Sequence, residues 1–267
     1  MKNIRIAAVV MNSPVGQTHQ NLDHMIQWAI AAKKEGAALV CFPEMNLSGY
    51  SIKPDINDSA ASIPGPVTRV LLEFAEREDI VILAGLAEKD ESERIFASHL
   101  VAQPNGILGV YRKLHIAPPE QNIYSRGQEI PLFSTQGIKF GIQLCYDAHF
   151  PELSTHMALK DADLIFMPHA SPRGTPEEKF TSWGRHLPAR AFDNGLFIVA
   201  CNQTGDNASG LSFPGVGLIL GPSGEILEKK VNNEEGLLVA DLKADDLVRV
   251  RNHRMRYFLP NRRSDLF

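Results

Sequence analysis

Short apolar runs alternate with amphipathic stretches along the whole chain. Runs rich in Val, Ile, Leu and Phe occupy Ile4–Met11, Ala38–Phe42, Ile80–Leu86, Ser98–Gln103, Ile138–Leu144, Asp163–Met167, Leu196–Cys201, Val216–Leu220 and Leu237–Asp241. Several are nearly continuous in apolar residues, which is the pattern of strands buried on both faces. Between the first two, Leu22, Met25, Ile26, Ala29, Ile30 and Ala32 recur at helical spacing, and Gly36 supplies a stop. Pro66 opens a second helix with Val70, Leu71, Phe74 and Ala75 on one face, and Pro151 opens a third running to about Lys160. The stretch Pro176–Asn194 must break or bend at Pro188, whose ring clashes with a continuing helix. The order is βαβ, then hairpin-like strands, then βαβ again, then a strand-rich end. No linker, composition shift or solenoid period divides it. The pattern predicts one α/β domain over residues 1–267, with helices covering sheet faces.

Composition narrows the partners more than the fold. A chain of 267 residues with 44 % hydrophobic and 22 % charged positions can build a sizeable core, which excludes disorder. Its net charge of −4 argues against a nucleic-acid or anionic-lipid footprint. Cys41, Cys145 and Cys201 are odd in number, far apart and outside any CxxC spacing, so free thiols in a reducing, cytoplasmic compartment fit better than a disulfide scaffold or a zinc site. The run Ile6–Met11 is too short to span a bilayer or to serve as a signal-peptide core, and reads as a first strand.

In open α/β sheets, sites form beyond the carboxyl ends of strands. Three such ends carry unusual residues: Glu44 after Ala38–Phe42, Lys113 after Gly109–Tyr111, and Cys145 after Ile138–Leu144. Cys145 sits on a strand-to-helix turn, where backbone N–H groups can stabilise a thiolate and a developing oxyanion. A free Cys is more often a small buried hydrophobe, and that reading holds more firmly for Cys41 and Cys201 inside apolar runs. A nucleophilic thiol needs a base. His115 and His169 follow strand ends, while His149 is close along the turn and better placed to line a pocket. Glu44 is the other option, since a partly buried carboxylate has a raised pKa suited to proton transfer. Taken alone, Glu44 reads as a cap or loop residue and Lys113 as a snorkelling surface lysine.

Taken together, these residues resemble the nitrilase superfamily of carbon–nitrogen hydrolases. The matching segments are Leu39-Val40-Cys41-Phe42-Pro43-Glu44 with Leu47 and Gly49-Tyr50, Tyr111-Arg112-Lys113-Leu114-His115, and Cys145-Tyr146-Asp147 with Phe150-Pro151-Glu152. Arg190-Ala191, Asn194, Asn202 and Gly221-Pro222-Ser223-Gly224-Glu225 add support, in the family's order and over nearly the whole chain. The resemblance implies an α-β-β-α sandwich that assembles as a homodimer or higher homo-oligomer, with the C-terminal tail at a subunit interface. It implies no metal and no cofactor. It also implies a catalytic set in which Glu44 is the general base, Cys145 the nucleophile and Lys113 an oxyanion stabiliser, with the Tyr146 backbone N–H as a second donor. Glu120 matches a supporting glutamate, although Arg126 stands where relatives tend to have proline.

On the same resemblance, Cys145-Tyr146-Asp147 is closer to amidases and carbamoyl-amide hydrolases than to true nitrilases, which tend to carry Cys-Trp-Glu. The expected activity is cleavage of a small amide or N-carbamoyl compound through a cysteine thioester, with nitrile hydrolysis or acyl transfer by the same thiol as alternatives. Tyr50, His149, His169, Ala170 and Arg173 are the candidate pocket residues, and Arg173 could meet a substrate carboxylate. A two-metal phosphoesterase built on Asp147-Ala148-His149 lacks further ligands beyond Gly205-Asp206-Asn207. A non-catalytic binding protein has no need of Glu44, Lys113 and Cys145 together.

Overall fold

The computed structural model describes residues 1–266, and its apolar runs become two six-stranded mixed sheets. The first half of the chain runs β1 (Ile4–Val10), α1 (Thr18–Lys34), β2 (Leu39–Cys41), α2 (Pro66–Glu78), β3 (Val81–Lys89), β4 (Ile95–Gln103) and β5 (Gly106–Arg112). The second half runs β6 (Phe133–Thr135), β7 (Ile138–Ile142), α3 (Pro151–Leu159), β8 (Leu164–His169), α4 (Pro176–Gly184), α5 (Leu187–Asn194) and β9 (Phe197–Asn202). A short hairpin, β10 (Gly205–Asp206) with β11 (Ser212–Phe213), precedes β12 (Val216–Leu220), β13 (Ile226–Val231), β14 (Gly236–Leu242) and α6 (Ala244–Arg251).

One sheet has the order β14-β1-β2-β3-β4-β5 and the other β13-β12-β9-β8-β7-β6. In each, three neighbouring strands are parallel: β1, β2 and β3 in the first, β7, β8 and β9 in the second. Antiparallel strands flank both trios. Alternation along β1 shows how the layers stack. Ile6, Ala8 and Val10 enter the core shared with Phe166 and Leu218 of the second sheet. Ala7, Val9 and Met11 face the other way, toward Leu22 and Met25 of α1 and Phe74 of α2. Helices α3, α4 and α5 pack on the second sheet, giving the helix–sheet–sheet–helix layering of an α-β-β-α sandwich.

The helical stretch from Pro176 breaks as expected: α4 ends at Gly184, and Pro188 lies in the first turn of α5, where a missing N–H costs nothing. The expected face of α2 needs correction. Leu71, Phe74 and Ala75 are buried, but Val70 is 43 % exposed, and Thr68 takes the inner position instead. No helix among the described residues is long and apolar enough to cross a membrane.

Candidate active site

The parallel trios end on the same side of the sandwich, and the candidate residues meet there. Glu44 follows β2. The strand stops at Cys41, Phe42 and Pro43 follow, and Met45 turns the chain in the left-handed region at φ 56°. The side-chain oxygen of Asn46 takes the Gly85 N–H at 2.8 Å, and Gln203 donates its side-chain nitrogen to the Glu44 carbonyl at 2.8 Å. The carboxylate is fully buried and engaged at both oxygens. Oε1 accepts from Lys113 Nζ at 2.9 Å, and Oε2 accepts from the Ala170 N–H at 2.9 Å, just beyond the end of β8.

Lys113 leaves the end of β5 and is 1 % exposed. Its ammonium bridges Glu44 and Glu120, the latter at 2.8 Å. Glu120 sits on a single 3-10 turn, Pro118–Glu120, and is also saturated. Oε1 takes the Tyr50 hydroxyl at 2.8 Å, and Oε2 takes the Ala117 N–H at 2.8 Å. Two buried carboxylates and one ammonium thus form a closed, hydrogen-bonded group, the condition under which buried charge is tolerated.

Cys145 begins a 3-10 turn, Cys145–His149, just past Ile142 at the end of β7, and its φ of 43° puts a non-glycine residue in the left-handed region. Asp147 holds this turn from within. One of its oxygens accepts from the Leu144 N–H at 3.0 Å and the Tyr111 hydroxyl at 2.7 Å. The other accepts the His115 N–H at 2.8 Å and lies 2.8 Å from His115 Nδ1. Arg190 of α5 donates to the carbonyls of Ala148 and His149, closing the turn from the helix side.

A cavity of ≈ 280 Å³ opens over these groups. Lys113, Glu120 and Cys145 form part of its wall, with Tyr50, Tyr146, His149, Ala170 and Arg173 around them. Glu44 lies behind Lys113 and does not line it. His169, expected in the wall, is absent from the lining as well. Its Nδ1 lies 2.6 Å from the Met167 carbonyl, and its ring packs against Trp183 at 4.4 Å, because it still belongs to the buried strand β8. Ala170 is the first residue past that strand to reach the cavity. His115 does not serve as a base for Cys145 either, being held by Asp147 and stacked on Phe150 at 3.7 Å.

Burial sets the protonation states. It pushes the Glu44 carboxyl up to about 7, with Glu120 adding to the rise while Lys113 and the Ala170 N–H oppose it. Burial alone would lower the Lys113 pKa, but Glu44 and Glu120 outweigh it and hold the ammonium well above its ordinary value. The Cys145 thiol, enclosed by protein although it reaches the cavity, is pushed by burial up to about 12, and the Glu44 charge adds to the shift. At rest the thiol is therefore protonated, while the Glu44 carboxyl titrates close to neutrality. His149 and His169 are both lowered by burial, which leaves them neutral.

Asp147, Tyr111 and Arg190 stand inside segments that carry the family resemblance without a catalytic role there, and Asp147 enters only as a ligand of the two-metal alternative. An acid two residues past a strand-end cysteine was the available signal, because such a short polar side chain folds back on N–H groups of its own turn. Both oxygens of Asp147 are occupied in this way, so the carboxylate is not free to ligate a metal as a phosphoesterase would need. Lys179 was missed entirely. It enters from α4, donates to Ser171 Oγ at 2.7 Å and to the Pro172 carbonyl at 3.2 Å, and so props up the cavity wall.

Comparison with known proteins identifies the family. The sequence profile of the carbon-nitrogen hydrolase family matches residues 5–252. A nitrilase of Pyrococcus abyssi is 32 % identical over 262 residues, covering 94 % of this chain and 93 % of its own. An (R)-stereoselective amidase of a Pseudomonas species is 29 % identical over 250 residues, covering 93 % and 88 %. Among solved structures, a nitrilase-superfamily amidase from Nesterenkonia superposes with a TM-score of 0.84 at 26 % identity, over 98 % of this chain and 95 % of that one. A mutant of that amidase carries the acetamide moiety of fluoroacetamide added covalently at its active-site cysteine. The chain described here belongs to the carbon–nitrogen hydrolase family of the nitrilase superfamily and is an enzyme of that kind.

Proposed function

We propose that this enzyme hydrolyses small non-peptide amides or N-carbamoyl compounds through a thioester on Cys145. The observation that carries the reading is the buried Glu44 carboxylate, held between the Lys113 ammonium and the Ala170 N–H, behind a small cavity whose wall includes Cys145. Glu44 takes the thiol proton as sulfur attacks the carbonyl carbon, forming a tetrahedral oxyanion. An ammonium has three N–H donors. Two of those on Lys113 serve Glu44 and Glu120, and the third is available to the oxyanion together with the Tyr146 N–H. Loss of one such donor raises a barrier by about 3 kcal/mol. Protonated Glu44 then gives its proton to the leaving nitrogen as the C–N bond breaks, which leaves the thioester. Water, deprotonated by Glu44, attacks the thioester, and the thiol leaves with the proton. Glu120 holds Lys113 at the depth the oxyanion requires. No metal or cofactor enters any of these steps.

The cavity volume suits a small molecule. Arg173 lines it without a carboxylate partner among the described residues, which favours amides carrying an acidic group at the far end. We further read residues 1–267 as one domain, since a single apolar core joins both sheets. A homo-oligomer is supported by Phe192, Met255 and Phe258, apolar residues left exposed on α5 and the C-terminal tail. The three free thiols suit a reducing, cytoplasmic compartment.

The test is ammonia release from a panel of neutral amides, amides with a distal carboxylate, N-carbamoyl compounds and nitriles. Wild type, Cys145→Ala and Arg173→Gln are compared. We expect turnover of an amide or carbamoyl substrate, falling at least about a thousandfold in Cys145→Ala. Arg173→Gln is expected to raise KM for acidic amides alone. Turnover that survives in Cys145→Ala overturns the nucleophile, and preference for nitriles overturns the substrate class.

A further inference from the structure

His99 lies within β4, fully buried, and the chemistry proposed above makes no use of it. A buried imidazole without hydrogen bonds is costly. Neither ring nitrogen of His99 makes a well-formed hydrogen bond among the described residues, although the Leu83 carbonyl lies close enough to act on the ring, and the side-chain nitrogen of Asn46 has no partner either. Both orphans gather at one backbone position. His99 sits opposite Gly85 across the β3–β4 ladder, and the Gly85 N–H is the group that Asn46 accepts. The Gly85 carbonyl accepts the Leu47 N–H at 2.9 Å. A Cβ on Gly85 would lie 2.5 Å from the Met45 nitrogen and 2.8 Å from His99 Nδ1. Only a glycine lets the imidazole and the turn behind Glu44 approach so closely.

Burial takes the His99 pKa down to about 3, with the Leu83 carbonyl pulling the other way, so the ring is neutral. A neutral imidazole has one donor and one acceptor nitrogen. The turn beside it offers the donors an acceptor needs, in the Met45 N–H and the Asn46 side-chain amide. On the opposite side, the Glu44 residue is already fixed by Gln203 and Ala170. We propose that His99 is a positioning residue for Glu44: its imidazole accepts from the Met45–Asn46 turn through one water, and sets how the carboxylate meets Lys113 and Cys145. The proposal rests on Glu44 being the base.

The test compares His99→Phe, which fills the space without an acceptor, with His99→Gln, which keeps an acceptor and a donor. In His99→Phe, kcat is expected to fall about tenfold with KM within about twofold of wild type, and the acidic limb of the pH–kcat profile to move. His99→Gln is expected to recover most of kcat. Wild-type kcat and pH profile in folded His99→Phe overturn the proposal. An equal loss in both variants also overturns it, because that marks packing rather than hydrogen bonding. If His99→Phe does not fold, His99→Leu takes its place and is read the same way. Glu44→Gln is measured alongside. Full activity there removes the base itself, whereas an inactive Glu44→Gln beside an unaffected His99→Phe sinks only the role of His99.

Discussion

In the first sheet, the parallel strands β1, β2 and β3 are joined through α1 and α2. In the second, β7, β8 and β9 are joined through α3 and the broken pair α4 and α5. The two middle strands end face to face, and their contact is the Ala170 N–H on the Glu44 carboxylate. Beyond this shared plan the contributions diverge. The first sheet and its edge strand β5 deliver Glu44 and Lys113, both out of contact with solvent and locked by charge-assisted hydrogen bonds. The second delivers Cys145 on a left-handed turn that opens to the cavity. Charge is held almost wholly out of reach of water, and the thiol stands at the cavity wall.

The sharpest way to break this division is to remove the cation. Lys113→Met leaves Glu44 and Glu120 buried beside each other without their counter-ion. Breaking a buried pair of this kind costs about 3–5 kcal/mol of stability, which thermal unfolding would register. Activity should fall about a hundred- to a thousandfold, because the proposed oxyanion donor goes with the charge. A variant with unchanged Tm and turnover would show that the first sheet's charges are not what the second sheet's nucleophile depends on.

A smaller and graded effect comes from pH. Burial raises Glu44 to about 7, so its carboxylate takes up a proton as pH falls through that value and can no longer accept one from Cys145. The rate should therefore be flat above 7 and drop about tenfold for each pH unit below it. The thiol, at about 12, titrates too high to contribute a limb in this window. A rate that instead climbs with pH toward 9 or beyond would mean that a preformed thiolate does the work, and that the first sheet supplies no base.

How much of this division was legible in the sequence follows from how local each signal is. Glu44, Lys113 and Cys145 stood out because each ends an apolar run, and the parallel trios stood out because they are buried on both faces. Strand β13 was not legible. It reads Ile-Leu-Glu-Lys-Lys-Val and lies exposed at a sheet edge, so no burial imposes a period on it. Helix α6 hides for a related reason, since only Leu247 and Val250 reach the core. Val70 turns outward because it lies about 100° around the helix from Leu71, outside the arc that Thr68, Leu71, Phe74 and Ala75 share. The links that join the halves were beyond reach altogether. The contact between Ala170 and Glu44, and that between Gln203 and the Glu44 carbonyl, span more than a hundred residues and leave no local pattern.

The smallest effect expected here probes how the second sheet holds Cys145. Asp147 accepts on both oxygens from groups that donate: the N–H groups of Leu144 and His115, and the Tyr111 hydroxyl. In Asp147→Asn one oxygen can still serve the His115 N–H. The new NH₂ then faces the Leu144 N–H, donor against donor, in a fully buried place. Tyr111 can rotate its hydroxyl to accept, which recovers part of the loss, so the cost to stability should be about 1–3 kcal/mol. The turn remains, but Cys145 shifts against Lys113, and kcat should fall about tenfold while KM changes little. Tyr111→Phe removes one donor and leaves the carboxylate with its backbone partners, so it should cost less than Asp147→Asn on both measures. Were Tyr111→Phe the more damaging of the two, the turn would be held mainly from the first sheet, since Tyr111 belongs to β5, and the nucleophile would be a joint product of both halves.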